Sequence, residues 1–88
     1  MSHHISLSAT RVDALFASPL QRSGDPGAWQ VQQAIAAAVA AYGGLGCAAR
    51  VAQSFGEHPE TAATRMRWAR AMVAGAFGGD QPTLACAA

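Results

Sequence analysis

Apolar residues along most of the chain recur every three or four positions, which is the period of an amphipathic α-helix. The pattern predicts four helices and no strand. The first is capped by Ser8 or Thr10 and stops at Ser18-Pro19, because a residue that precedes proline avoids the helical region. The second begins with Asp25-Pro26 and runs to about Tyr42. Its predicted buried stripe consists of Val31, Ile35, Ala38, Val39 and Tyr42.

Two further helices follow in the pattern. A short third helix begins at Gly46 or Cys47, and we expect Gly56 to end it with a positive φ. Pro59 then begins a fourth helix that extends to about Phe77. The expected buried residues are Ala48, Val51, Ala52 and Phe55 in the third helix, and Ala62, Met66, Ala69, Val73, Ala76 and Phe77 in the fourth.

The length and charge of the chain limit what it can be. Its 88 residues form one domain, with residues 1–7 and 79–88 expected as loose tails. The net charge of +1 argues against a strongly cationic nucleic-acid binder, whose affinity grows with the phosphates it neutralises. The longest apolar run, 34–42, is far shorter than the roughly 20 residues that span a bilayer. No signal-peptide pattern is visible, so we expect a cytoplasmic protein without a membrane partner.

Residues 46–77 have the order of a helix-turn-helix unit. A short helix ends near Gly56, a tight turn follows, and a longer helix carries several arginines. In that motif the second helix enters the major groove of DNA. The small residue Ala52 lies where the two helices would cross closely. The predicted fold class is therefore all-α: a small four-helix domain with a helix-turn-helix core.

The run Ala52-Gln53-Ser54-Phe55-Gly56, followed by Thr61, Arg65, Met66, Ala69 and Arg70, resembles a known family. It is similar to region 4, the promoter-reading domain of bacterial sigma factors, especially the extracytoplasmic-function type. The resemblance covers roughly residues 31–74. It implies a recognition helix that begins near Glu60, with DNA contacts from Thr61, Thr64, Arg65 and Arg67.

Other interpretations of the same segments remain open. Glu57, Glu60 and Trp68 differ from the residues that the family has at these positions. A helical bundle turns a corner with the same elements, and its arginines then only solvate an alanine-rich helix.

Trp68 and Met72 lie together on the fourth helix, nearly opposite its main apolar stripe. Two explanations fit this placement. In the first, Leu15, Phe16 and Leu20 of the N-terminal segment fold over them. In the second, Trp68 and Met72 form a homodimer or partner interface together with Leu15 and Phe16, since Trp and Met are enriched in such surfaces.

The sequence offers no catalytic, metal or cofactor site. Glu57, His58 and Glu60 form the only acid–base cluster, and helix capping explains it. The histidines His3, His4 and His58 are poorly spaced for zinc. Two lone cysteines, Cys47 and Cys86, are typical of reduced thiols in the cytoplasm. No small-molecule substrate is evident.

These features lead to three hypotheses about function. The first is a small non-enzymatic, transcription-related protein that binds DNA or RNA polymerase through a helix-turn-helix core. The alternative is an all-α protein-interaction adaptor or homo-oligomeric scaffold with no nucleic-acid role. The third is a redox-responsive protein that uses Cys47 or Cys86.

Overall fold

The computed structural model describes residues 7–77, which form three α-helices and one short 3-10 helix. Helix α1 spans Leu7–Ala17, the 3-10 helix spans Arg22–Gly24, α2 spans Ala28–Glu57 and α3 spans Pro59–Ala76. Each α-helix packs against the other two. The all-α prediction is confirmed, and residues 7–77 contain no strand. The predicted tail over residues 79–88 lies outside the described residues.

Helix α1 begins earlier than predicted and ends where proline requires. Leu7 was expected in the N-terminal tail, whose residues 1–6 lie outside the described part of the chain, but it is already helical, so Ser8 and Thr10 lie inside α1 rather than at its cap. The end is fixed by Ser18, whose hydroxyl donates to the Leu15 carbonyl at 2.7 Å and accepts from the Leu20 N–H at 3.3 Å. Ser18 thus satisfies backbone groups that the helix end would leave unpaired.

The start of α2 differs from the predicted Asp-Pro cap. Asp25 adopts a left-handed conformation with φ 47° and ends the 3-10 helix. Gly27 caps α2, and its N–H donates to the Gln30 side-chain oxygen at 2.9 Å. Pro26 is buried just before the helix instead of forming its first turn. The helix therefore begins two residues later than the dipeptide suggested.

The predicted second and third helices are two segments of α2, which breaks at Gly43. Gly43 has φ 72° and ψ 170°, a conformation that is essentially restricted to glycine. Gly46 lies close to Tyr42, since a Cβ built on Gly46 would lie 2.9 Å from the Cβ of Tyr42. Residues 7–77 therefore contain three α-helices rather than four, and the break in α2 falls where the second predicted helix was expected to end, near Tyr42.

The positive φ expected at Gly56 is not observed. Among the described glycines only Gly43 has a positive φ, and α2 continues through Gly56 to Glu57. The chain leaves the helix at His58, with φ −142° and ψ 71°. Pro59 forces this change, because its ring disfavours the helical region for the residue before it. As predicted, Pro59 is the first residue of the last helix.

The core lies where the three helices meet. The predicted buried face of the third helix is confirmed only in part: Val51 packs against the core, but Ala48 and Ala52 are exposed, and Cys47 is buried. The Gly43 break resets the helical phase, so the second segment of α2 does not continue the stripe of the first. Val39 and Tyr42, predicted in the buried stripe of the first segment, are instead 38% and 39% exposed, and Phe55 in the second segment is 37% exposed. The buried apolar residues are Ala14, Leu15, Phe16, Val31, Ile35, Ala38, Cys47, Ala62, Met66, Trp68, Ala69 and Val73.

Helix α3 is buried on two sides, because α1 and α2 both pack against it. Its main stripe, Ala62, Ala69 and Val73, is buried as predicted. Trp68 lies on another side of the helix and is also buried, with 9% of its surface exposed. The Gln32 side-chain amide of α2 donates to the Ala76 carbonyl at 3.0 Å and joins the end of α3 to α2.

Alanine substitutions at two glycines of α2 should have opposite effects. Gly43→Ala forces a side chain into the glycine-only region and should lower the free energy of unfolding by roughly 1–3 kcal/mol. Gly56 lies in helical backbone with open space around it. Gly56→Ala should therefore raise the free energy of unfolding by about 0.5–1 kcal/mol. Urea denaturation followed by circular dichroism measures both, and changes of the same sign would contradict the break at Gly43.

Candidate functional site

Arg65 joins α3 to the C-terminal end of α1. Its Nε donates to the Phe16 carbonyl at 2.9 Å, and its Nη2 donates to those of Ser18 at 2.8 Å and Leu20 at 3.0 Å. A longer contact of 3.3 Å reaches the Leu15 carbonyl. These carbonyls belong to the last turn of α1 and the loop after it, where the helix itself supplies no donors. Arg65 therefore caps α1 from another helix.

Arg65 lies on the same side of α3 as the buried Trp68. Arg65, Trp68 and Met72 are three and four residues apart and share one side of the helix. The guanidinium lies 4.8 Å from the centre of the Trp68 ring, within the range of a cation–π contact. Burial lowers the pKa of the Arg65 guanidinium from its ordinary value, which still leaves it charged at neutral pH. The cationic fork is thus held between the indole and the end of α1.

This geometry changes the interpretation of Arg65. The sigma-factor resemblance implied that Arg65 contacts DNA, but its guanidinium faces the carbonyls of α1 rather than solvent. The remaining members of the implied set, Thr61, Thr64 and Arg67, are exposed on α3. The Thr64 hydroxyl donates to the Glu60 carbonyl at 3.2 Å and accepts from Arg67 at 3.2 Å. Only three of the four expected residues therefore present side chains to solvent.

The candidate interface residues lie largely within the core of the monomer. Leu15, Phe16 and Trp68 are buried, Met72 is half-buried, and Leu20 packs against the same cluster. The first of the two explanations, cover by the N-terminal segment, accounts for this burial. Trp68 and its neighbours are therefore not an exposed surface in residues 7–77.

The remaining reactive groups offer no chemical site in the described part of the chain. Cys47 is fully buried, and its thiol lies 3.7 Å from the Ala38 carbonyl. Burial raises the pKa of the Cys47 thiol, Asp13 raises it further and Arg50 partly opposes them, so the nucleophilic thiolate is disfavoured. Cys86 lies outside the described residues. Residues 7–77 contain no group of three or more His, Cys, Asp or Glu side chains that would hold a metal.

The most unusual surface is one that the sequence reasoning missed, the outer side of α2. The chain carries no charged residue from Pro26 to Ala49. Trp29 exposes 70% of its surface there, and Leu45, beyond the break, exposes 86%. Gln33, Ala36 and Ala40 lie on the same side as Trp29 and are also exposed. A charge-free run that contains a tryptophan outside the buried stripe was the available signal.

Helix α2 also has the length and composition of a membrane-crossing helix. Its most apolar stretch of 18 residues has a mean hydropathy of 1.5, and 17% of that stretch is buried. The expectation based on the nine-residue run missed this, because glutamines and glycines interrupt the apolar residues without adding charge. Core helices of soluble proteins have the same length and composition, so these two properties alone do not assign α2 to a bilayer.

A shallow groove of about 360 Å³ runs along another side of α2. The loop after α1 forms one wall, and the first segment of α2 forms the other. Its lining is nearly all apolar and consists of Ser18, Pro19, Leu20, Ala34, Ala37, Ala38, Ala41 and Tyr42. The first segment of α2 thus contributes to two uncharged surfaces, its outer side and this groove.

Comparison of the chain with protein-family models, with curated proteins and with solved structures finds no match. The similarity to sigma-factor region 4 therefore stays a prediction that depends on the residues quoted for it.

Replacing Arg65 should destabilise the domain far more than replacing Arg67. Arg65→Lys keeps the charge but loses the planar fork that reaches several carbonyls, so we expect the free energy of unfolding to fall by about 2–3 kcal/mol. Arg67→Lys, on the exposed side of the same helix, should change it by less than about 0.5 kcal/mol. Denaturant titration of both variants measures the difference, and equal stabilities would show that Arg65 does not cap α1.

Proposed function

We propose that this chain is a small, non-enzymatic, all-α interaction protein whose binding surface is the outer side of the first segment of α2. The observation that carries the proposal is Trp29, exposed on a helix face without a single charge. Exposed apolar surface of this kind marks interaction sites, and tryptophan is the residue type most enriched among those that dominate binding energy.

The energy available at Trp29 supports this role. An aromatic side chain buries 150–250 Å² when fully covered, so the exposed fraction of Trp29 leaves about 110–170 Å² for a partner. At about 25 cal/mol per Å², covering it stabilises a complex by roughly 3–4 kcal/mol. The neighbouring alanines add little area, but they let another backbone approach closely. The face therefore offers one large anchor on a flat surface.

The titratable groups favour a binding role over a catalytic one. Glu57, His58 and Glu60 are exposed at the junction of α2 and α3, and Glu57 accepts a hydrogen bond from Gln53 at 3.2 Å. Cys47 is enclosed in the core, away from this junction. These groups form no constellation of nucleophile, base and orienting residue within the described chain.

A photo-crosslinking amino acid at position 29 tests the proposal in cells. Trp29→p-benzoylphenylalanine keeps an aromatic anchor at the proposed surface, so we expect covalent adducts to form on irradiation. The control is the same amino acid at Ala74, which is exposed on α3 and away from α2's outer side. Gel mobility and mass spectrometry detect the products. Absence of adducts at position 29, or equal yields at both positions, would contradict the proposal.

We propose DNA contact through α3 as a second candidate function, in keeping with the helix-turn-helix interpretation. The supporting observation is that Thr61, Thr64, Arg67 and Arg70 are all exposed on α3. The second segment of α2 and α3 would be the two helices of the motif, joined by His58. Glu57 and Glu60 lie at the same junction, and their charge opposes the approach of a phosphate backbone.

Reversing the exposed charges on α3 tests this second candidate. We expect weak DNA binding at low salt. The dependence of the binding constant on salt concentration should correspond to about two to three neutralised phosphates, because few exposed cations contribute. Arg67→Glu together with Arg70→Glu should abolish it, whereas Arg22→Glu, on the 3-10 helix, should not. Fluorescence anisotropy with mixed genomic fragments measures affinity. No binding at about 10 μM protein, or equal loss in the Arg22 variant, would exclude a role for this surface.

A further inference from the structure

The exposed residues of α2 form a seam with the spacing of a helix–helix interface. Trp29, Gln33, Ala36 and Ala40 follow one another at intervals of four, three and four residues. This is the alternation that brings side chains onto one edge of a coiled coil. All four residues are exposed, and they lie on the side of α2 away from the buried residues Val31, Ile35 and Ala38.

We infer that the partner of this seam is a second copy of the chain, packed with its α2 antiparallel across a two-fold axis. This inference rests on the proposed function and names the partner for the same surface. Two-fold pairing is the commonest arrangement of homo-oligomers, and it requires a surface that is complementary to itself.

The seam meets that requirement through the sizes of its residues. When the two-fold axis passes midway between Gln33 and Ala36, Trp29 faces Ala40 of the second copy. In the same register Gln33 faces Ala36 of the second copy. A large side chain therefore meets a small one at every level, which is how tightly packed interfaces avoid both clashes and voids. Alanines at these levels allow the helix axes to approach to about 8 Å.

The absence of charge favours a second copy in particular. In a two-fold dimer, a residue close to the axis lies near the same residue of the second copy. A charged residue there would therefore lie close to a like charge. The run from Pro26 to Ala49 contains none. Gln33, close to the axis, carries an amide that both donates and accepts hydrogen bonds. Two Gln33 side chains can thus pair with each other, and a polar residue at such a position fixes the register of paired helices.

The available area sets the strength of this dimer. The first segment of α2, residues 28–42, is about 22 Å long at 1.5 Å per residue. Two Trp29 side chains contribute about 220–340 Å², and the alanines add modest strips beside them. The buried area therefore falls below the roughly 1,200 Å² that stable complexes bury. Interfaces of this smaller size belong to weak, transient pairs. We therefore expect a weak dimer that exchanges with monomer, and not a permanent one.

A bilayer fits the same face less well. Val31, Ile35 and Ala38 of this segment are buried against the rest of the domain, so a spanning arrangement would have to detach α2 from its own core. Gln30, Gln32 and Gln33 would enter the apolar region, and the break at Gly43 interrupts the helix before the roughly 20 residues that a crossing needs.

Sedimentation equilibrium of the full chain between about 5 and 500 μM tests the dimer. The wild type should shift from monomer to dimer across this range. Trp29→Ala should raise the dissociation constant at least tenfold, and Ala40→Glu should leave a monomer at every concentration. The matched control is Ala74→Glu, the same substitution on the exposed side of α3, which should dimerise like the wild type. Circular dichroism of each variant checks that the fold is retained.

Cysteine pairing tests the antiparallel register in chains that carry Cys86→Ser. A mixture of Trp29→Cys and Ala40→Cys chains should form a disulfide-linked heterodimer, because the two positions face each other. Neither variant alone should crosslink to itself, since equal positions lie about 16 Å apart along the helices. Self-crosslinking of Ala40→Cys without the heterodimer would indicate parallel helices and overturn the arrangement.

The outcomes separate this inference from the proposed function. A monomer at 500 μM, with crosslinks from position 29 to another protein, overturns the dimer and leaves the interaction surface in place. A monomer with no crosslinks overturns both. If the wild type stays monomeric and sediments with phosphatidylcholine–phosphatidylglycerol vesicles, while Ala40→Glu does not, a bilayer replaces the second copy. Equal dimerisation of the Ala40→Glu and Ala74→Glu variants places the interface elsewhere and overturns the seam.

Discussion

The capping of α1 by Arg65 is the interaction on which the rest of the arrangement depends. A helix of 11 residues is too short to be stable alone, and its last carbonyls need donors from elsewhere. Arg65 supplies them across 45 or more residues of sequence, and its guanidinium also makes a cation–π contact with Trp68. Once α1 is fixed there, Leu15 and Phe16 cover one side of α3 while α2 covers another. The same contact turns Arg65 away from solvent. Arg65 cannot cap α1 and contact DNA at the same time.

The break at Gly43 is the second constraint, and it decides which residues α2 presents to solvent. Without it, the stripe that begins at Val31 would continue in phase past Tyr42. The non-helical Gly43 resets that phase, turns Cys47 inward and leaves Ala48 and Ala52 outside. The thiol is consequently enclosed, and burial raises the pKa of Cys47, so its reactive thiolate form is disfavoured.

The two exposed surfaces of the domain have different chemistry. The outer side of α2 is uncharged and mostly apolar, and Trp29 is its exposed aromatic side chain. The exposed side of α3 carries Arg67 and Arg70 but meets acidic residues at its start. An apolar surface with an aromatic anchor gains energy from burying area against a protein partner. A surface with few cations gains little from phosphate, since that term scales with the number of phosphates neutralised. These differences are our reason for proposing protein interaction ahead of DNA contact.

The sequence by itself determined the helical class, the stop before Pro19, the start at Pro59 and the main buried stripe of α3. Periodicity and proline act locally, within a few residues, so they can be recognised without a structure. The exposure of Ala48 and Ala52 and the roles of Arg65 and Trp68 were decided by tertiary structure. Arg65 looks like a solvent-facing cation until α1 is placed beside it, and Trp29 looks like any helical residue until its neighbours are known. Which face of a helix is covered depends on contacts between distant segments, and the periodicity of one segment does not contain that information.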